Sequence, residues 1–169
     1  MNASAAPRAG ASTMGGDMFF IDGLVRDSEL DSQGGVANDR IMEYLQHARH
    51  EYFRTKGFSL KQLIADQVDP VLRESHIRYL TSLEHGDHYR VTVVPVRAGV
   101  KLHFLCGIFR LSDMALCVKA IMTVVVSKAG QLTRDNILGV DEGPGGRSYE
   151  PSFKDIPDRW EPAEPGAGE

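Results

Sequence analysis

Asn38-Asp-Arg-Ile41-Met-Glu43-Tyr44-Leu45-Gln-His47-Ala48-Arg49-His50-Glu-Tyr52-Phe-Arg54-Thr-Lys56-Gly57 sets the architecture, because it is the one long segment whose apolar residues keep helical spacing. Ile41, Tyr44, Leu45, Ala48 and Tyr52 fall on one stripe, and Asp39, Glu43, His50 and Arg54 fall opposite. Asn38-Asp39 offers N-cap chemistry with an acid in the first turn, and Gly57 offers a stop. A single long amphipathic helix over 39–56 is therefore predicted, followed by a short helical turn within 59–66.

On both sides of this segment the pattern changes to strands. The run Met-Phe-Phe-Ile-Asp-Gly-Leu-Val at 18–25 precedes a polar, glycine-bearing loop over 27–37. Further strand-like runs cover 71–80, 89–97, 100–111 and 115–127, separated by Gly86-Asp87, Ala98-Gly99 and Ser112-Asp113, short connections suited to antiparallel neighbours. In the last run Leu116, Val118, Ala120, Met122, Val124 and Val126 alternate with a mixed set, so one face is wholly apolar. That face and the helix stripe each need an apolar cover. The predicted class is α+β, an antiparallel sheet wrapped around one long central helix.

The chain has 169 residues with a formal net charge of −4, enough for one domain and with no global basic field to attract nucleic acid. Nothing approaches the roughly 18 uninterrupted apolar residues of a membrane span, so a soluble protein is expected. The domain is placed at 18–140. Residues 1–17, rich in Ala, Ser and Gly, read as a disordered leader. Residues 141–169 read as an acidic Pro- and Gly-bearing tail too sparse in apolar spacing for a packed element, with Trp160 alone hinting at docking. The two cysteines, Cys106 and Cys117, lie in apolar runs, which points to a reducing, cytoplasmic setting and to buried thiols rather than a nucleophile. His47 and His50 lack the His-Glu-x-x-His order, and His85 and His88 bracket a turn with no cysteine pair nearby, so no metal and no other cofactor is expected.

The segment Val25-Arg-Asp-Ser-Glu-Leu-Asp31-Ser-Gln-Gly34-Gly35-Val36-Ala37-Asn38, followed by Tyr44-Leu-Gln-His-Ala-Arg49, resembles the signature of the 4-hydroxybenzoyl-CoA thioesterase family of hotdog enzymes. Its spelling is most similar to the plant acyl-lipid and dihydroxynaphthoyl-CoA types. The family pattern sets an aspartate before a glycine three residues on, an asparagine seven on and a tyrosine thirteen on, here Asp31, Gly34, Asn38 and Tyr44. Glu74-Ser75-His-Ile-Arg78 with Gly86-Asp87 is similar to the family's second strand and its turn. Ala37, Ile41 and Gln46 stand where many members have asparagine, an aromatic residue and glutamate.

The resemblance implies hydrolysis of an acyl thioester on coenzyme A or acyl carrier protein, in a homo-oligomer that is a dimer or tetramer. Asp31 would act as nucleophile or general base, and the backbone at Asn38 would stabilise the oxyanion, since a helix start exposes unpaired amides and a positive dipole end. Gly34, Gly35, Val36, Tyr44, Arg49, Ser75 and Arg78 would contact the substrate. Plainer roles stand beside these. Asp31 reads as a turn residue, Asn38 as an N-cap, Tyr44 as core, Arg49 as structural, Ser75 and Arg78 as ordinary strand surface. Glu43, the rival carboxylate, sits on the solvated helix face. A hotdog dehydratase or hydratase, or a non-catalytic acyl-binding module, remains as an alternative reading.

Overall fold

The computed structural model describes residues 18–159; the predicted leader and Trp160 lie outside them. Strand β1 (Phe19–Leu24) is followed by a 3-10 turn, helix α1 (Asn38–Thr55), helix α2 (Leu60–Ala65) and strands β2 (Val68–Tyr79), β3 (His88–Ala98), β4 (Lys101–Arg110), β5 (Leu116–Lys128) and β6 (Gln131–Leu132). All pairings are antiparallel, in the order β1-β3-β4-β5-β2, with β6 on the end of β5. The sheet curls around α1, which is the hotdog arrangement that the helical stripe and the β5 alternation predict.

The helix stops where the sequence expects. Gly57 takes φ +88°, its amide bonds the Arg54 carbonyl at 3.0 Å, and the Phe58 amide bonds the Phe53 carbonyl at 2.9 Å. That pair of bonds is a Schellman close, open to glycine at no steric cost. The start differs by one residue: Ala37 is the N-cap and Asn38 is already helical, with no side-chain cap, which corrects the reading of Asn38 as the capping side chain. Backbone pairing fixed the entrance instead, because the Ala37 amide is already engaged by the Glu29 carbonyl at 3.0 Å. In α2 the Ser59 hydroxyl caps the Gln62 amide at 3.1 Å. The β3–β4 hairpin turns through Gly99 at φ +62° and Val100, a two-residue connection whose first position favours glycine.

Between α1 and the sheet, Ile41, Leu45, Ala48 and Tyr52 pack with Val91, Val93, Phe104, Cys106, Val118, Met122 and Val124. Each fully buried side chain of this size contributes about 1.5–3 kcal/mol relative to exposure. β2 carries a bulge: Leu72 pairs with Val124 and Glu74 with Thr123, leaving Arg73 as an extra residue. Beyond it Ser75 and Ile77 share the helix side with Met122 and Ala120, and Glu74, His76 and Arg78 share the outer side with Thr123, Ile121 and Lys119.

Residues 141–159 do pack, contrary to the sequence expectation. The Arg97 amide bonds the Asp141 carbonyl at 2.9 Å and the Gly143 amide bonds the Arg97 carbonyl at 2.8 Å, a parallel bridge on β3. Ile156 is buried with Leu105 and Ile121, and Phe153 packs against them. Lys119 donates to the Phe153 carbonyl at 3.1 Å and pairs with Asp158 at 2.6 Å. The physical reason lies in the sheet: Val94, Val96, Leu105 and Ile121 give its outer face an apolar patch that needs a cover. Two anchors three residues apart suffice for that, and they leave no periodicity to read.

Candidate active site

Residues 29–38 form a tight reversal that ends at the start of α1. Leu30 bridges Val36, the Asp31 amide bonds the Gly35 carbonyl at 2.8 Å, and the Ala37 amide bonds the Glu29 carbonyl. Gly34, at φ +84°, closes the turn, its amide bonding the Asp31 carbonyl at 3.1 Å. Gly35 bridges Glu84, and the Val36 amide bonds the Leu83 carbonyl at 2.9 Å, so the reversal is stitched to the loop before β3. Asp31, Gly34, Gly35, Val36 and Asn38 are therefore brought together as one unit. Asp31 sits across from Gly35, and the three residues from there to Asn38 span at most about 10 Å.

Asp31 is exposed, and its carboxylate is oriented from one side only. The amides of Gln33 and Gly35 donate to Oδ1 at 2.8 and 3.3 Å, and among the described residues no bond reaches Oδ2. The turn thus engages one carboxylate oxygen and leaves the other without a bond among the described residues. At the helix start the Arg40 and Ile41 amides bond the Ala37 carbonyl, while among the described residues those of Asn38 and Asp39 have no acceptor. They are donors left over by helix geometry, at the positive end of the dipole. Asp39 and Arg40 sit beside them, and Glu43 is held by Arg40 through both carboxylate oxygens at 3.0 Å on the exposed face.

Under this reversal lies a carboxylate that the sequence reading missed. Glu29 is buried, its Oε1 accepting from the Arg26 amide at 2.9 Å. Burial works against its charge, but the Arg26 amide, the nearby Tyr44 hydroxyl and the Arg26 guanidinium outweigh it and hold the carboxyl below its ordinary range. Tyr44 is core, as the plain reading has it: its ring stacks on Tyr89 at 4.3 Å, and its hydroxyl stands near Glu29 without reaching hydrogen-bond geometry. Burial, followed by Tyr89 and Glu29, pushes its phenol above the usual range. The available signal was Arg26 followed three residues on by a glutamate, the spacing of a capping box. Because the folded-state pKa of Glu29 is depressed, its contribution to stability is present above the ordinary carboxyl value and lost as pH falls through the folded value. Urea unfolding from pH 6 to pH 3 is expected to show wild type losing more stability than Glu29→Gln; parallel curves would remove Glu29 from the acid transition.

Arg49 lies about 16 Å further along the helix axis from Asn38 at 1.5 Å per residue. It is only 6% exposed, and among the described residues its guanidinium has no carboxylate partner and Nη1 no acceptor. Burial lowers its pKa. Ser75 and Arg78 are not brought together. Ser75 faces the helix side from the outermost strand, whereas Arg78 turns to the outer side and lies over the Phe153 ring at 4.5 Å. Burial pushes the Cys106 thiol up to about 12 and also raises that of Cys117, which keeps both protonated at neutral pH. His85 pairs with Asp27 on the surface.

Residues 25–158 match the Thioesterase-like superfamily, and the chain belongs to it. Two chloroplastic acyl-acyl carrier protein thioesterases of Arabidopsis thaliana are similar: ATL2, 30% identical over 68% of this chain and 61% of its own length, and ATL3, 29% identical over 53% and 47%. The chain thus spans about half to three fifths of these relatives. Among solved structures, the 1,4-dihydroxy-2-naphthoyl-CoA thioesterase of Synechocystis superposes with a TM-score of 0.65 at 16% identity, covering 69% of this chain and 88% of that one. A Staphylococcus aureus protein solved in complex with CoA gives 0.66 at 16% identity over 75% and 82%. At such identities these structures bear on the fold.

Proposed function

We propose that the chain hydrolyses an acyl thioester carried by coenzyme A or acyl carrier protein, with Asp31 as general base or nucleophile and the leading amides of α1 as oxyanion donors. The observation that carries this reading is the division of labour within Asp31, whose Oδ1 is spent on the turn while Oδ2 is left over, in the same reversal that leads into a helix start whose first two amides have no acceptor among the described residues. With the thioester carbonyl oxygen on those amides, Oδ2 takes a proton from water as the water oxygen bonds the carbonyl carbon. The oxyanion that forms is held by the amides, and its collapse breaks the C–S bond and expels the thiolate, which takes the proton back from Oδ2 to leave as the thiol and regenerate the carboxylate. A preorganised donor of this kind is worth about 100- to 1000-fold in turnover. Superfamily membership and the named activities of the plant relatives support the reaction class. Gly34, Gly35 and Val36 supply the backbone wall against which the acyl carrier lies, and Ser75 lines the same side of the sheet.

Release of free thiol from a panel of acyl-CoA and acyl-carrier-protein substrates tests the proposal. Thiol release without change in the acyl chain supports it. Hydration or dehydration of the chain with the thioester intact would replace it with the dehydratase reading, and absence of turnover on either carrier would leave a binding module. A homo-oligomer and a cytoplasmic location belong to the same proposal; for the oligomer, β1 and β2 are the outer strands of the sheet among the described residues, and β2 exposes Leu72 and Tyr79 there, an arrangement that a second copy would cover.

Arg49 belongs to this reading as the group that meets an acyl oxygen. A buried cation without a carboxylate costs stability, so Arg49→Met is expected to raise the unfolding free energy measured in urea by about 1–3 kcal/mol, while raising KM for the preferred substrate. A fall in stability instead would mean that Arg49 is a structural partner.

A further inference from the structure

Outside the helix side of the sheet, the segment 141–159 walls a half-open cavity of about 960 Å³ against β2, β4 and β5. It is held at two ends, by the Arg97 bridge and by Phe153 and Ile156, and arches over the sheet between them. Asp31 and Asn38 line no part of it. Its volume falls within the range that accommodates a small organic ligand.

On the floor is a buried polar pair that the reading of the reaction does not use. His103 is 5% exposed, its Nδ1 lying 2.9 Å from the Thr123 hydroxyl and its ring edge-on to Tyr149 at 6.2 Å. Burial, then Lys101, lowers its pKa against the pull of Glu74, so the ring is neutral near pH 7. When Thr123 donates to Nδ1, the ring hydrogen stands on Nε2, which has no partner among the described residues. Around it the lining is cationic for a chain of net charge −4, with four Arg and Lys side chains against three carboxylates. Arg97 is paired with Glu142 at 3.4 Å and Glu74 lies 3.5 Å from His76. That leaves Lys101, Arg134 and Arg147, three cations, facing two acids, Glu74 and Glu150. The Arg147 stem lies across the hairpin, where a methyl on Gly99 would come within 3.2 Å of its Cγ. Ile121, Tyr149 and Phe153 supply apolar wall.

We propose that this cavity binds a small amphipathic carboxylate, its head on the unpaired cations and the His103 ring, its apolar body against Ile121, Tyr149 and Phe153. The site is separate from the Asp31 reversal, and its ligand is recognised whether or not it is related to the acyl product.

The test uses the full chain with isotope-labelled histidine, titrated with 4-phenylbutyrate and with its neutral isostere 4-phenylbutyramide. The expected result is a saturable shift of the His103 resonances by the acid, with a dissociation constant on the order of 1 mM or tighter, and at least about tenfold weaker binding of the amide. The double variant Arg134→Glu/Arg147→Glu, at exposed positions, is expected to weaken the acid by about tenfold or more and leave thioester hydrolysis unchanged; Lys101→Gln provides an independent, milder version. No saturable shift at His103, equal binding of acid and amide, or equal binding of inorganic phosphate would each overturn the proposal, the last by showing an anion site with no use for the apolar wall.

Discussion

Asp31→Asn lowers thioester hydrolysis by at least about 100-fold while leaving the fold in place. The expectation follows from which oxygen does what. An asparagine keeps an Oδ1 that accepts from the Gln33 and Gly35 amides, so the reversal retains the bonds that shape it. What it replaces is Oδ2, the atom with no structural duty, by an amide group that neither accepts a proton nor attacks a carbonyl. Stopped thiol-release assays on the preferred substrate, alongside circular dichroism and urea unfolding, separate the two effects. Turnover within a few-fold of wild type by a folded Asp31→Asn protein would remove this residue from the chemistry and leave the reaction class resting on family membership alone. Asp31→Ala is the poorer probe, because it also deletes the turn's acceptor.

Phe104→Ala destabilises the protein by about 3–5 kcal/mol, enough to consume much of the stability of an ordinary domain. Phe104 is fully buried in β4, with its ring edge-on to Phe53 at 5.5 Å and to Tyr52 at 6.1 Å, so it is the point where the sheet grips the last turns of α1. Its removal leaves a cavity lined by two aromatic rings anchored on the helix, which cannot collapse without moving the helix itself. A loss below about 1 kcal/mol in urea unfolding would show that the helix is free to settle into the gap.

The parts of the molecule that repeat were legible in the sequence. Helix α1 and the inner face of β5 announce themselves because each must present the same apolar face several times over, and Gly57 marks a backbone conformation that few other residues adopt. The Asp31 reversal was legible for a different reason: its spacing matches a family signature, not a periodicity. What stayed hidden depended on contacts between distant segments. Asn38 looked like a cap until the Glu29 carbonyl was seen to engage the preceding amide. Phe153 and Ile156 looked like stray apolar residues until Leu105 and Ile121 gave them a surface. His103 and Thr123 carried a faint signal, two polar residues spaced on the outer faces of otherwise apolar strands, but only the register of β4 against β5 pairs them. Ser75 and Arg78 were grouped because both lie in the stretch that resembles the family's second strand, and their separation onto opposite faces is a matter of strand parity.

Parity also gives Arg73 an unusual standing. Counting by twos from Leu72 would send Glu74, His76 and Arg78 toward the helix; the unmatched residue resets the count, so that Ile77 goes inward and Arg78 goes out. The outermost long strand therefore holds one spare unit of length. Loss of Arg73, or of Glu74 with Arg73 taking its place opposite Thr123, would straighten the strand and keep every other partner where it is, whereas loss of any other residue from Val71 to Ile77 would turn part of the strand inside out and drive charge into the core. The strand can thus shorten by one residue at the bulge, and nowhere else along this stretch, without changing which face its neighbours occupy.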